Sequence, residues 1–180
     1  VMDFFTSLHT GISMQANVFI TLLYSSGMIA LVQESGAITI GVRKIMKKMK
    51  GKEILVVILM NLLFTAFGAL SMNEGVFTLI PLCVSIIMAM GYDRITGFAA
   101  AVMGLTAGFG SGLVNVYTIG TAQQILGLPM FSGLWYRAIG LVFFTVADVL
   151  YLVWYADRIR KDPSKSYCKD EYLASRDTLI

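Results

Sequence analysis

An all-α, polytopic membrane fold is what the sequence predicts, and three observations carry the prediction. Apolar residues make up 57% of the 180 residues and charged ones only 14%, with a mean hydropathy of +0.74. Soluble domains hold about 25% charged and about 45–50% apolar residues. The charges are also confined to a few places, so that residues 54–73, 75–92 and 95–136 carry none. Finally, basic residues gather at the ends of apolar blocks, as they do in cytoplasmic loops. A bilayer core takes roughly 20 apolar residues per helix, which gives this chain about four to six membrane segments. Such a composition excludes disorder. Two cysteines, Cys83 and Cys168, are too few for a disulfide scaffold. The net charge of +3 is small and dispersed, which argues against a nucleic-acid partner.

Taken in order, residues 15–33 form a first apolar helix. Residues 37–50 follow with Ile38, Val42, Ile45, Met46 and Met49 on one side of a helix and Arg43, Lys44, Lys47, Lys48 and Lys50 on the other. That pattern predicts an amphipathic helix lying in the membrane interface, its basic face toward anionic headgroups. The plainer alternative is a loop that obeys the positive-inside rule, and both put this segment on the cytoplasmic side. A hairpin over 54–90 comes next, its arms at the short limit for spanning. Glu74 at its turn fits a tip exposed to a pocket better than one in lipid. An interrupted helix covers 97–127 and a last membrane helix 134–156. Residues 1–162 thus form the membrane domain and 163–180 a polar cytoplasmic tail. The parity of crossings brings Lys52, Arg94 and the Arg158–Lys161 cluster to one side. The N-terminus has no basic region and carries Asp3, so no cleavable signal is expected. The low number of elements predicts a piece of a longer transporter.

Two places carry candidate chemistry. At the hairpin turn, Ser71, Asn73 and backbone carbonyls freed from helix would supply oxygen ligands for a small cation, and Glu74 a charge or a proton acceptor. Non-helical backbone at membrane depth requires protein or a water-filled cavity to satisfy it. An ordinary extracellular turn with a solvated Glu74 is the alternative. In the second place, Gly104, Gly108 and Gly112 recur every fourth residue, a smooth face for close helix packing. With Gly110 they predict a break just beyond, since each Gly costs a helix about 1 kcal/mol relative to Ala. Asn115 and Thr118 are cap residues for a new half-helix. Its free N–H groups would favour a carboxylate, and the carbonyls of the half before it a cation. An unbroken glycine-packed helix is the alternative here. Asp148, midway along the last helix, is an intramembrane carboxylate and hence a functional candidate, or a group paired inside the bundle. Arg137 and Trp154–Tyr155 read as interfacial anchors. Pro81 reads as a kink in the second hairpin arm. No nucleophile elbow, phosphate loop, Cys-x-x-Cys or His-Glu-x-x-His is present, so an enzyme is not expected.

The segments Gly36–Lys52, Gly68–Glu74, Pro81–Asp93, Asn115–Gln123 and Leu128–Gly133 with Arg137, and the ending Tyr155–Asp157 with Lys161–Ser166, closely resemble the YfcC family. That family stands with the anaerobic dicarboxylate carriers and arginine/ornithine-antiporter-like proteins of the ion transporter superfamily. The resemblance implies one repeat of an ion-transporter-type fold, with a re-entrant helical hairpin and a membrane helix broken at mid-depth. It implies substrate held between hairpin tip (Ser71–Gly75) and break (Gly112–Thr118), a homodimer and an elevator-like motion. Gly75 stands where the family usually has an acidic residue or Thr, and Val116 where it usually has Pro. The second repeat is absent from this chain.

The expected function is therefore secondary active transport of a small carboxylate or amino acid across the bacterial inner membrane. Its substrate- or ion-binding residues would be Ser71, Asn73, Glu74, Gly112, Asn115 and Thr118. No cofactor is expected beyond a coupling Na⁺ or H⁺. The competing class is a non-transporting membrane scaffold, in which the glycine face docks a partner helix. The sequence leaves the charge of the substrate open.

Overall fold

The computed structural model describes residues 51–71, 73–169 and 172, with scattered positions among residues 6–35. The amphipathic helix expected at 37–50 lies outside the described residues. Inside the expected helix 15–33, Ile20, Leu23, Tyr24, Gly27, Met28 and Leu31 are all helical. Among the described residues all regular structure is helical.

Helix α1 spans Glu53–Ala69. Glu53 sits in its first turn, where a carboxylate meets the positive end of the helix dipole. Its Oε2 also lies 3.3 Å from Arg160 near the end of the chain's last helix. A helical turn at Asn73–Val76 and a tighter turn at Phe77–Leu79 lead into α2, Ile80–Ala89. Pro81 stands in the first turn of α2, where a missing N–H costs nothing, so it starts this helix instead of kinking it. Helix α3 spans Arg94–Ser111, three residues earlier than the sequence suggests, because Asp93 caps it. After a break come a wide helical turn at Val116–Gly120 and the short α4, Thr121–Ile125. Helix α5 spans Leu134–Lys161 and ends in Arg158, Arg160 and Lys161, cations placed at the negative end of the dipole.

Among the described residues, α5 is the one helix long and apolar enough to cross a membrane. Only 11% of its apolar 18-residue window is buried in the chain, unlike the core helix of a soluble protein. Trp135, Ile139, Val142, Phe143, Val146 and Leu150 lie exposed along it. At 1.5 Å per residue α1 measures about 25 Å and α5 about 42 Å, against about 30 Å of bilayer hydrocarbon.

Helix α3 is the centre of the bundle, with α1, α2 and α5 packed around it. Glycine makes the closest approaches. A Cβ on Gly104 would collide with the Asn61 carbonyl, and one on Gly97 would lie 2.7 Å from the Cα of Val84 in α2. The core contains Val57, Phe64, Ile87, Leu105, Leu152 and Ile159. Cys83 is buried there, its thiol 3.7 Å from the Gly97 carbonyl, whereas Cys168 is partly exposed. A maleimide should therefore label Cys168 and leave Cys83 untouched until the protein unfolds; equal labelling by mass spectrometry would contradict this packing.

The polar island at Asp93 is a buried hub. Its Oδ1 accepts the Thr96 amide (2.8 Å) and the Thr96 hydroxyl, and its Oδ2 accepts the hydroxyls of Tyr155 (2.9 Å) and Ser166 (2.6 Å). Tyr155 is therefore no interfacial anchor: it is buried and ties α5 to the start of α3. Nearby, the hydroxyl of Tyr172 donates to the Gly91 carbonyl at 2.9 Å. Asp162 opens the tail by capping the turn Pro163–Lys165, and the Ser164 hydroxyl and Lys165 ammonium hold its carboxyl below the usual range.

Candidate functional site

The hairpin turn is built where α1 crosses α3 most closely. Cβ atoms on Gly68 and Gly108 would each strike the partner helix's backbone: Gly68 meets Leu105 and Phe109, and Gly108 meets Thr65 and Ala69. Helix α1 ends just beyond, as Leu70 donates back to Ala66 (3.1 Å) and Ser71 to Gly68 (2.9 Å). Ser71 takes a positive φ of 59°, rare for a residue with a side chain.

Helix α3 stops level with this turn. Gly112 adopts the left-handed conformation (φ 64°, ψ 26°) that ends helices, its amide donating to Phe109 at 3.1 Å. Gly112 is thus the helix terminator, and only Gly104 and Gly108 of the fourfold pattern face α1. The freed chain then bonds to the hairpin: the Val114 amide donates to the Ala69 carbonyl (3.3 Å), and the Ser71 hydroxyl donates to the Val114 carbonyl (3.3 Å). These bonds satisfy backbone that the break would leave unpaired inside protein.

Asn115 spans the break. It is 3% exposed, its Nδ2 donates to Phe109 in the first half (3.4 Å), and its Oδ1 caps the Thr118 amide in the second (3.0 Å). The Gly120 amide donates to the Asn115 carbonyl at 3.0 Å, closing the wide turn. Both ends of the Asn115 side chain are therefore engaged within the chain. The Thr118 side chain is exposed. Asn73 and Glu74 lie in the helical turn that follows the tip, and their side chains lie outside what is described.

Asp148 is on α5, in a cleft of about 260 Å³ with Thr106, Ala107, Gly110 and Phe144, and its Oδ2 is buried with no hydrogen-bond partner. It thus faces α3 a few residues before the break, apart from the tip. No cluster of three or more His, Cys, Asp or Glu suited to a metal occurs among the described residues.

Three groups escaped sequence reasoning. Gln123 is buried and clamps the loop before α5, donating to the Ser132 carbonyl and hydroxyl (both 2.9 Å) and accepting the Phe131 amide (2.8 Å). Asn61, the one amide inside α1, is fully buried and donates to Ala100 at 3.2 Å, leaving its Oδ1 unpartnered. The single amide within the apolar stretch 54–69 was the available signal. Arg137, read as an interfacial anchor, instead lays its side chain beside the break: its Cδ is 3.8 Å from where a Cβ on Gly112 would sit.

A helical bundle with one exposed apolar helix long enough to cross a membrane, two shorter apolar helices and an interrupted helix held against their turn has the makeup of a membrane protein. The chain belongs to the DcuC family, the C4-dicarboxylate anaerobic carriers, whose sequence model matches residues 1–178. Over 172 residues it is 27% identical to an uncharacterized protein of Haemophilus influenzae, covering 95% of this chain and 34% of that protein. Over 147 residues it is 27% identical to the putative basic amino acid antiporter YfcC of Escherichia coli K12, covering 81% of this chain and 29% of that protein. The chain thus spans about a third of the length of these relatives. No solved structure matches it.

Proposed function

We propose that this chain supplies half of the binding site of a secondary active transporter. The transporter moves a small carboxylate or amino acid across the bacterial inner membrane, coupled to Na⁺ or H⁺ or by exchange. One observation carries the reading: the hairpin turn is bonded to the helix break through Ala69, Ser71 and Val114. Irregular backbone on two elements meeting at one point is the arrangement in which carriers hold substrate at mid-membrane. The length of α1 supports a re-entrant hairpin, since about 25 Å falls short of the hydrocarbon core. Ser71, Asn73, Glu74 and Thr118 border the site, Gly112 ends the first half-helix, and Asn115 keeps the two halves in register. A second repeat, and a second protomer in a homodimer, would complete it. The scaffold reading is weakened because Gly104 and Gly108 of α3 already face α1 within the chain.

The test is uptake by the intact gene product in proteoliposomes, with labelled succinate and labelled arginine, each with and without a Na⁺ gradient. Wild type accumulates one of them. Asn115→Ala removes a cap worth about 1 kcal/mol and a second bond across the break. It should lower uptake by at least about tenfold through misplacement of the site, while protein in the membrane stays at the wild-type level. Normal uptake by Asn115→Ala would refute the placement of the site.

A further inference from the structure

We infer that Arg137 is a specificity-determining residue that receives a carboxylate group of the substrate at the helix break. The inference rests on the transport reading above and goes beyond it by assigning the cation that meets the anion. Arg137 lies in the first turn of α5, and its stem runs against Gly112, the residue that terminates α3. A side chain at position 112 would crowd Ile119 (2.8 Å) and touch this stem (3.8 Å).

The guanidinium has an incomplete set of partners. One terminal nitrogen donates to the Ser132 carbonyl at 3.0 Å. Nε is buried and bonds nothing. Arg137 makes no ion pair among the described residues, in contrast to Arg160 with Glu53. A buried N–H on a charged group is costly to leave unmade. Arginine presents its donors in a planar fork that fits the two oxygens of a carboxylate. Nη2 gives one donor to Ser132 and Nη1 has no partner among the described residues, so that end of the fork is available. Asn115 is uncharged, its Nδ2 donates to Phe109 and its Oδ1 accepts from Thr118, so it supplies no cation for a carboxylate. The cation beside the break is thus a donor with unused hydrogen-bonding capacity, whereas the unpartnered Asp148 Oδ2 is an acceptor.

The sequence of the Gln123–Ser132 loop serves this placement. Gln123 fixes the Ser132 carbonyl through Nε2, and that carbonyl holds the guanidinium from one side. The fork is therefore pre-positioned, which lowers the ordering cost of binding.

The experiment measures the concentration dependence of succinate and arginine uptake by the reconstituted intact gene product. Wild type, Arg137→Gln, Arg137→Lys and Asn115→Ala are compared at equal protein per vesicle. Arg137→Gln should raise KM about tenfold or more for the transported compound, since a charge-assisted pair to its carboxylate is lost. Arg137→Lys keeps the charge but loses the fork. Its KM should rise severalfold, whereas a residue that only supports the loop would leave KM at the wild-type value. Unchanged KM in both Arg137 variants, with Asn115→Ala inactive, overturns the role of Arg137 and leaves the transport reading standing. A folded wild type that takes up neither compound overturns both.

Discussion

Gly108→Leu in the intact gene product should give no monodisperse protein on size-exclusion chromatography in detergent. The first atom of any side chain at this position would strike the Thr65 carbonyl and stand 2.6 Å from the Ala69 amide nitrogen, both backbone atoms of α1. Backbone inside a helix cannot rotate aside as a flexible side chain can, so α1 and α3 must separate. Gly108→Ala alone should cost about 1–3 kcal/mol as an overpacked contact, read as a lower melting temperature. Leucine adds three more carbons to the same collision. Separation would also break the bond from Val114 to Ala69 and release the tip, so transport falls with stability. Gly110 is the internal control. A Cβ there meets nothing within 4 Å, so Gly110→Ala should be neutral or stabilising by up to about 1 kcal/mol from helix propensity. A Gly108→Leu protein that melts like wild type would refute the close crossing of α1 on α3.

Asp93→Ala should be the second severe lesion, seen as a large fall in melting temperature and as new proteolytic cleavage after Arg160, Lys161 or Lys165. Asp93 is 1% exposed and receives four hydrogen bonds, from the Thr96 amide and the hydroxyls of Thr96, Tyr155 and Ser166. Removing it takes away the cap of α3, worth about 1 kcal/mol. It also strands buried donors, each costing about 1–3 kcal/mol. These losses share one site and will not simply add. The tail should loosen with them, because Ser166 is held by Asp93. Asp93→Asn keeps one acceptor oxygen but points an amide at the remaining hydroxyls, so its melting temperature should fall between the two. Equal stability of Asp93→Ala and wild type would mean that the hub contributes nothing to holding α5 and the tail on α3.

Much of this architecture was legible in the chain because it follows from local chemistry. An 18-residue window of α5 averages a hydropathy of 1.9, so its capacity to cross a membrane could be read without any knowledge of neighbours. The glycines near 104–112 weaken helix wherever they stand, and Asn115 caps one by bonding three residues ahead, so the break was also a local matter. Asp93 caps α3 in the same short-range way. What the sequence could not determine is which atoms each of these groups meets across space. Periodicity assigned Gly112 to the packing face with Gly104 and Gly108, but α3 has already turned left-handed there. Tyr155 and Arg137 resemble interfacial anchors in any apolar helix, since an aromatic or a cation at a helix end looks the same whether it meets water or protein. Only the fold reveals that Tyr155 reaches Asp93, 62 positions earlier, and that the Arg137 stem lies on Gly112. Within the described residues, the sequence by itself determined the helices from α1 onward, the break after α3 and the apolar character of α5, all set within a few residues of chain. The tertiary structure alone decided which polar groups are satisfied and which are left open, because hydrogen bonds between distant residues depend on the crossing of α1 and α3 and on where α5 returns.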